Sequence, residues 1–210
     1  KDMTLEAFQL FWGNPSYGVN RQGGITSFFQ WGDIDFFLLD NRYFRTPNYR
    51  ETAERTILGE DQLEWLIDAL TASRAPFKMV AIGGQVLNTA AVYETYVNLA
   101  PEERGYLLRR IEEEGITGVI FLSGDRHHTE LSHYVNAAGH AVYDLTVSPL
   151  TSGSGTSRDE VNDLREPGTM VIARNFGLLT FSGPFRERQL LIQILNPEGE
   201  ELWQYTIEQP

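Results

Sequence analysis

Four polar side chains that could bind a metal or a phosphate follow one apolar stretch of the sequence. Asp125, Arg126, His127 and His128 come after a run expected to form a buried strand, residues 116–122. In α/β folds, ligands bind beyond the carboxyl ends of strands. Asp125 and His127 are two residues apart and can turn into one cavity, where an oxygen and an imidazole nitrogen suit Zn, Fe or Mn. The spacing predicts a metal site, and a turn of surface polar residues is the alternative.

Two further predicted strand ends carry groups that can meet the first one. The apolar run 34–39 leads into Asp40 and Arg42, and the run 77–82 leads into the glycine pair 83–84. If the strands end on one edge of a sheet, Arg42 can bind a phosphoryl oxygen through its guanidinium group. The alternative for Arg42 is an ion pair with Asp40 that braces the loop. The glycines permit either a close backbone approach or a simple turn.

The chain carries none of the familiar motifs for a protein nucleophile. It has no cysteine, no G-x-S-x-G elbow, and a glycine-rich stretch, 153–156, that lacks the lysine and the preceding strand of a P-loop. A water activated by a cation at Asp125 and His127 is the remaining chemistry. A zinc hydrolase that acts on acyl substrates would need more histidine ligands than four scattered histidines supply.

The composition is that of an acidic, globular chain. Its 210 residues suffice for one domain, and 41% hydrophobic with 12% aromatic residues exclude a mainly disordered protein. Seventeen basic against 29 acidic side chains give a net charge of −12, which disfavours a nucleic-acid-binding surface. A bound cation can still hold a small anion locally. No window approaches the roughly 20 apolar residues of a membrane span, and without cysteine there is no disulfide.

Hydrophobic periodicity predicts an α/β chain whose later part is mostly antiparallel β. Apolar residues recur at helical spacing over residues 4–11, 59–72 and 101–114. Two packed sheets with helices outside would accommodate these elements. The predicted strands are residues 27–31, 34–39, 77–82, 116–122, 131–135, 141–147, 169–174, 178–182, 189–195 and 201–207, and the predicted polar loops are residues 40–56 and 151–167.

Several segments together resemble the PhoD-like metallophosphatase (alkaline phosphatase D) family of the calcineurin-like phosphoesterases. The resemblance extends from about Leu5 to the C-terminal strands, and its motifs are specific in combination. It includes the Gly-Asp-Arg-His-His run that ends at His128. The matching segments are residues 29–33, 36–43, 58–59 with Gln62, 65–66 with Leu70, 78–86, 119–128 and 148–152.

The resemblance implies an α/β fold, the C-terminal half of a four-layer α/β/β/α sandwich that ends in antiparallel strands. It implies hydrolysis of phosphate mono- or diesters by a metal-activated water. Asp125 and His127 would hold metal, Arg42 and His128 would be catalytic, and Arg42 with Arg126 would bind substrate. Iron with calcium is the metal pair that the resemblance favours, with Zn or Mn as alternatives. Family members are commonly exported, so a periplasmic or extracellular location is expected.

The chain departs from the family pattern in two ways. Gly84 stands where many members have Asn, and Asn41 stands where many have Thr. The family's first metal motifs precede the region matched by residues 5–17 and are not in this sequence. We therefore expect residues 1–210 to be a single domain, the C-terminal part of a phosphatase. Its partner would be the N-terminal half of the same protein, and alone it would bind metal weakly and be nearly inactive. The alternative is a binding or structural module that keeps the fold without catalysis.

Overall fold

A computed structural model of the chain describes residues 1–20, 23–51, 53–155 and 159–210. Four helices and nine strands occur in these ranges. The helices are α1 (Asp2–Phe11), α2 (Glu60–Ala72), α3 (Tyr96–Leu99) and α4 (Pro101–Glu113). The strands are β1 (Ser27–Trp31), β2 (Ile34–Leu38), β3 (Lys78–Ala81), β4 (Val119–Ser123), β5 (Glu130–Val135), β6 (Ala141–Thr146), β7 (Phe176–Ser182), β8 (Gln189–Leu195) and β9 (Glu201–Glu208).

The larger sheet has six strands in the order β1-β2-β3-β4-β6-β5. Its four central strands, β2, β3, β4 and β6, are parallel, and β1 and β5 are added antiparallel at the two edges. The Gly32-Asp33 turn joins β1 to β2, with Trp31 paired to Ile34 across it. The central strands are covered on both faces, which explains why their sequences are nearly continuous apolar runs.

Alternate residues of the central strands enter two separate cores. Phe37, Val80 and Phe121 pack among the helices on one face of the sheet. Met79 and Ile120 point to the other face, towards the second sheet. This period of two follows from the pleat, which turns successive side chains to opposite sides. The helical face is filled by the apolar stripes of α2 and α4, with Leu66, Ile67, Leu70, Leu107 and Ile111.

The smaller sheet is antiparallel, in the order β7-β8-β9. Its central strand presents Leu190, Ile192 and Ile194 to the larger sheet, and all three side chains are fully buried. Helices, six-stranded sheet and three-stranded sheet therefore stack as three layers. The predicted α/β class with terminal antiparallel strands is confirmed.

The prediction of elements is wrong at two places. Residues 169–174 do not form a strand, because only Val171 pairs, in an isolated bridge with Thr129. The sequence also does not reveal α3, since a single helical turn is too short to show a period. Residue 52 and residues 156–158, in the two predicted loops, lie outside the described residues. Within the described residues, no helix has the length and apolar character needed to cross a bilayer.

Candidate functional site

Three strand ends meet at one edge of the larger sheet. β2, β3 and β4 are parallel neighbours, so their carboxyl ends point the same way. Backbone pairing continues to the edge, where Leu39 N donates to Ala81 O and Ile82 N donates to Leu122 O, each at 2.9 Å. The loops beginning at Asp40, Gly83 and Gly124 therefore leave the sheet side by side. This is the position at which open α/β sheets bind ligands.

An open pocket beyond β4 brings together three of the predicted site residues. Asp125, Arg126 and His127 line a cavity of about 630 Å³. Two further acidic side chains, from the long segment between β6 and β7, face the same space. The other residues that line the pocket are Val92, Tyr93, Gly155, Asp159 and Glu160.

The turn that carries Asp125 and His127 has an uncommon backbone. Their φ angles are 68° and 55°, in the left-handed region, which costs a non-glycine residue about 1 to 2 kcal/mol. The loops around the turn hold it in place. His127 N donates to Ser148 Oγ at 3.1 Å, and Gly155 N donates to His127 O at 2.7 Å. The turn directs Asp125 and His127 into the pocket at the expense of backbone strain.

Arg126 lies in the same pocket but is already engaged. Its guanidinium group forms an ion pair with Glu160 and donates to Tyr93 O. Its side chain is 11% exposed. Glu160 also accepts a hydrogen bond from Asn88 Nδ2 at 2.9 Å. An anion that binds Arg126 would therefore compete with a carboxylate.

Arg42 occupies a different part of the edge. It lines a cavity under α1 rather than the pocket of Asp125. Its side chain is 63% exposed, and its only ion pair among the described residues is with Glu94, at 3.6 Å. Asp40 does not pair with it; the Asp40 carboxylate accepts backbone N–H groups of Ile25, Arg42 and Tyr43 at 2.8–3.0 Å. The predicted alternative of an Asp40–Arg42 ion pair is therefore wrong, while Arg42 presents an accessible guanidinium group.

Glu94 is an acidic centre between these two regions. Arg45 binds it through two hydrogen bonds, at 2.9 and 3.1 Å, and Arg42 lies beside it. Hydrogen bonding from Arg45 is the main reason why its pKa is lowered. The preceding residue, Tyr93, lines the pocket of Asp125. The segment 93–94 thus separates the pocket from the exposed Arg42.

The glycine pair after β3 permits close backbone and side-chain contacts. A Cβ atom at Gly84 would lie 2.9 Å from Glu94 O, and one at Gly83 would lie 2.5 Å from Asn41 Nδ2. The first alternative, a close backbone approach, is correct at Gly84, whereas the close neighbour of Gly83 is a side chain. No side chain fits at position 84 unless the backbone at Glu94 moves. The packing therefore requires glycine at this position, where many family members have Asn.

His128 lies beneath the pocket rather than in it. Its side chain is fully buried, with Nδ1 3.2 Å from Arg126 O and Nε2 3.5 Å from Glu130 Oε1. Glu130 is itself buried and forms an ion pair with Arg165. Burial raises the pKa of Glu130, but His128 and Arg165 outweigh it and lower this pKa to about 2. The hydrogen-bonding surroundings and the Arg165 guanidinium group therefore keep this buried carboxylate ionised.

Asp144 is a second buried carboxylate, and it has no cation in contact among the contacts described. It accepts the N–H groups of Val86 and Leu87 at 2.7 and 2.8 Å and the hydroxyl of Ser123 at 2.9 Å. Burial raises its pKa from 3.8 to about 6 in spite of these hydrogen bonds. Asp144 ties the loop after β3 to the end of β4, directly below the candidate site.

The raised pKa of Asp144 predicts a pH-dependent stability. The folded chain holds the proton more tightly, so this group lowers the free energy of unfolding as pH rises from 3.8 to about 6. In Asp144→Asn that contribution is lost. The difference in unfolding free energy, wild type minus variant, should fall by about 3 kcal/mol across this range, measured by urea unfolding. Asp68→Asn, on the exposed face of α2, is the control, and a pH-independent difference for Asp144→Asn would contradict the prediction.

Sequence reasoning did not single out the acidic residues that organise the site. Glu94, Glu130, Asp144 and Glu160 come from four separate segments. Acidic side chains are usually exposed, and nothing in their local sequence marks these as buried partners of Arg45, Arg126 or Arg165. For Asp144 alone a signal is present, because this charged residue interrupts the apolar strand β6.

The described residues supply only part of a metal centre. Asp125 and His127 offer donors of suitable chemistry in one open pocket. No group of three or more His, Cys, Asp or Glu side chains in residues 1–20, 23–51, 53–155 and 159–210 is arranged to hold a metal ion. A tightly bound metal such as Zn takes three or four protein ligands. Asp125 and His127 could therefore hold a metal only together with further ligands.

Comparison with known proteins identifies the family and the fold of this chain. The family model of PhoD-like phosphatases matches residues 7–186. A solved structure of PhoD superposes with a TM-score of 0.70 at 16% identity, over 91% of this chain and 43% of that one. The purple acid phosphatase PPD1 from yellow lupin (Lupinus luteus) seeds superposes at 0.64 and 14% identity, over 95% and 35%. No curated protein matches significantly by sequence.

The two structures share the fold with this chain, which spans less than half the length of either. The family model covers most of the 210 residues, including the three strand ends and the pocket. The predicted resemblance is confirmed, and the chain belongs to the PhoD-like phosphatase family.

Proposed function

We propose that this chain is part of a metal-dependent phosphoesterase that hydrolyses phosphate mono- or diesters. The observation that carries the proposal is the turn after β4, which places Asp125 and His127 in one open pocket at the ligand-binding edge of the sheet. Membership of the PhoD-like phosphatase family supports the same reaction class. The chain offers no nucleophile motif of its own, and water is the expected attacking group.

Asp125 and His127 are our proposed metal ligands. A cation held there would activate water and balance charge on the phosphoryl oxygens. Iron with calcium is the proposed pair, with Zn or Mn as alternatives. We propose that the remaining donors come from the N-terminal half of a PhoD-like protein, as the partner of residues 1–210. Without them the chain would bind metal weakly and turn over slowly. Export to the periplasm or the extracellular space is proposed from the family resemblance.

The arginines have separate proposed roles in binding the substrate. Arg42 is exposed and paired only loosely with Glu94, so its guanidinium group can take two phosphoryl oxygens at little cost. Arg126 lines the same pocket as Asp125, but its ion pair with Glu160 must break before its guanidinium group can bind a phosphoryl oxygen. The buried His128 contacts the backbone of Arg126, and we propose that its contribution to catalysis is to fix the turn.

A second candidate function is a binding or structural module without catalysis. The observation in its favour is Gly84, where the carbonyl of Glu94 occupies the space that an Asn side chain would need. Such a module would keep the pocket of Asp125 and bind an anion or a protein there without turnover.

Chelation separates the two functions. We expect the protein to hydrolyse p-nitrophenyl phosphate or bis-p-nitrophenyl phosphate and to lose this activity, together with its metal, when a chelator is added. Addition of Mn²⁺ or of Fe with Ca²⁺ should restore it, and elemental mass spectrometry gives the metal content of each sample. Turnover that survives complete removal of metal would overturn the metal-dependent mechanism. A metal-free protein that binds phosphate without turnover would favour the module.

A further inference from the structure

We propose that Glu130 is a positioning residue for the turn that carries Asp125 and His127, and that it acts through His128. This inference rests on the proposed function of that turn in binding metal. Glu130 is the first residue of β5, its side chain is fully buried, and it does not line the pocket. Because Glu130 does not line the pocket, it can influence a metal or substrate bound there only through a neighbouring residue.

Glu130 is itself fixed by donors from two other segments. Its Oε1 accepts hydrogen bonds from Gln85 at 2.7 Å, Asn162 at 3.1 Å and Asn88 at 3.3 Å. Its other oxygen forms the ion pair with Arg165. These donors come from the loop after β3 and from the segment between β6 and β7. The carboxylate therefore joins the two loops that flank the turn.

His128 connects this fixed carboxylate to the turn. Its ring packs between Glu130 and the backbone of Arg126. Nδ1 donates to Arg126 O at 3.2 Å, and Nε2, which has no hydrogen-bond partner among the described residues, lies 3.5 Å from Glu130 Oε1. That carbonyl belongs to the residue between Asp125 and His127. The carbonyl lies in the peptide plane that joins Arg126 to His127, so a contact there restrains ψ of Arg126 and φ of His127, one residue after Asp125.

The turn needs such a constraint. Asp125 and His127 both have positive φ angles, which non-glycine residues adopt only when their surroundings impose them. A ligand set held within about 0.5 Å of its binding geometry binds metal better than a mobile one. In metalloproteins, loss of a partner that orients a ligand lowers metal affinity by about 10- to 100-fold. We assign Glu130 this role of orienting partner for Asp125 and His127.

The first test compares two buried carboxylates in the metal-free protein. Glu130→Gln should speed hydrogen exchange at the amides of Arg126 and His127 by about 10-fold. Glu103→Gln is the matched control, because Glu103 is also buried and binds backbone N–H groups, those of Ile57 and Gly59, on the helical side of the sheet. It should leave these two amides unchanged. Equal exchange in both variants, or no change in Glu130→Gln, would overturn the proposal.

A double-variant cycle tests the route through His128. If Glu130 acts through this ring, Glu130→Gln should change exchange at Arg126 and His127 much less in a His128→Asn background than in the wild type. Additive effects would show that Glu130 supports the fold without positioning the turn. A purely structural role predicts additivity, so this readout distinguishes the two.

Metal affinity is the second, independent readout. With Mn²⁺ as the probe, calorimetry should show binding about 10- to 100-fold weaker in Glu130→Gln than in the wild type or Glu103→Gln. Equal affinity in all three proteins would overturn the positioning role. If the wild type itself binds no Mn²⁺, Fe or Ca²⁺, the proposed metal site fails, and the exchange measurements still decide the inference about Glu130.

Discussion

Asp125→Asn is expected to lower the rate of phosphate-ester hydrolysis by at least about 100-fold and to reduce the bound metal. Loss of a residue that only orients a metal ligand costs about 10- to 100-fold, so loss of a ligand should cost more. The substitution suits the backbone, because Asn tolerates the left-handed region in which Asp125 lies. The variant should therefore fold, and its loss of activity should reflect the missing carboxylate charge.

Asp68→Asn is the matched control for this experiment. It makes the same chemical change on the exposed face of α2, away from the pocket. We expect it to keep the metal content and turnover of the wild type, as measured by elemental mass spectrometry and with p-nitrophenyl phosphate. If Asp125→Asn kept both as well, Asp125 would not be a ligand, and the proposed site would have to be abandoned.

Arg165→Met is expected to destabilise the fold by about 3 to 5 kcal/mol, the usual cost of leaving a buried charge without its partner. Glu130 is fully buried and has its ion pair with Arg165, whose side chain is only 18% exposed. Urea unfolding near neutral pH measures the effect. The cost should shrink as pH falls from 4.5 towards about 2, the folded pKa of Glu130, because protonation removes the charge that Arg165 neutralises.

Arg109→Met gives the comparison for an exposed ion pair. Arg109 and Glu113 are 3.8 Å apart on α4, and both side chains are more than half exposed. Exposed pairs of this kind contribute about 0.2 to 1 kcal/mol. Equal costs for Arg109→Met and Arg165→Met would mean that the Glu130 network is no more important to stability than a surface pair.

Much of the fold is determined by local sequence patterns. The strands 27–31 and 189–195 occur with their predicted bounds, and α2 and α4 differ from prediction by one residue. These elements have strong apolar periods and clear turn or terminal residues, which act over a few neighbours. Residues 169–174 show the limit of such patterns. Their sequence is typical of a strand, but only Val171 has a bridge partner, Thr129, and no adjacent strand completes a ladder.

For the candidate site, the sequence by itself determined that Asp125, Arg126 and His127 follow a buried strand and share a turn. Only the tertiary structure decided that Arg126 is paired with Glu160, that Arg42 remains exposed beside Glu94, and that His128 is buried. The physical reason is the range of the interactions. A strand end follows from hydrophobic alternation over a few residues, whereas ion pairs and burial depend on segments that are 34 to 52 residues apart in the chain.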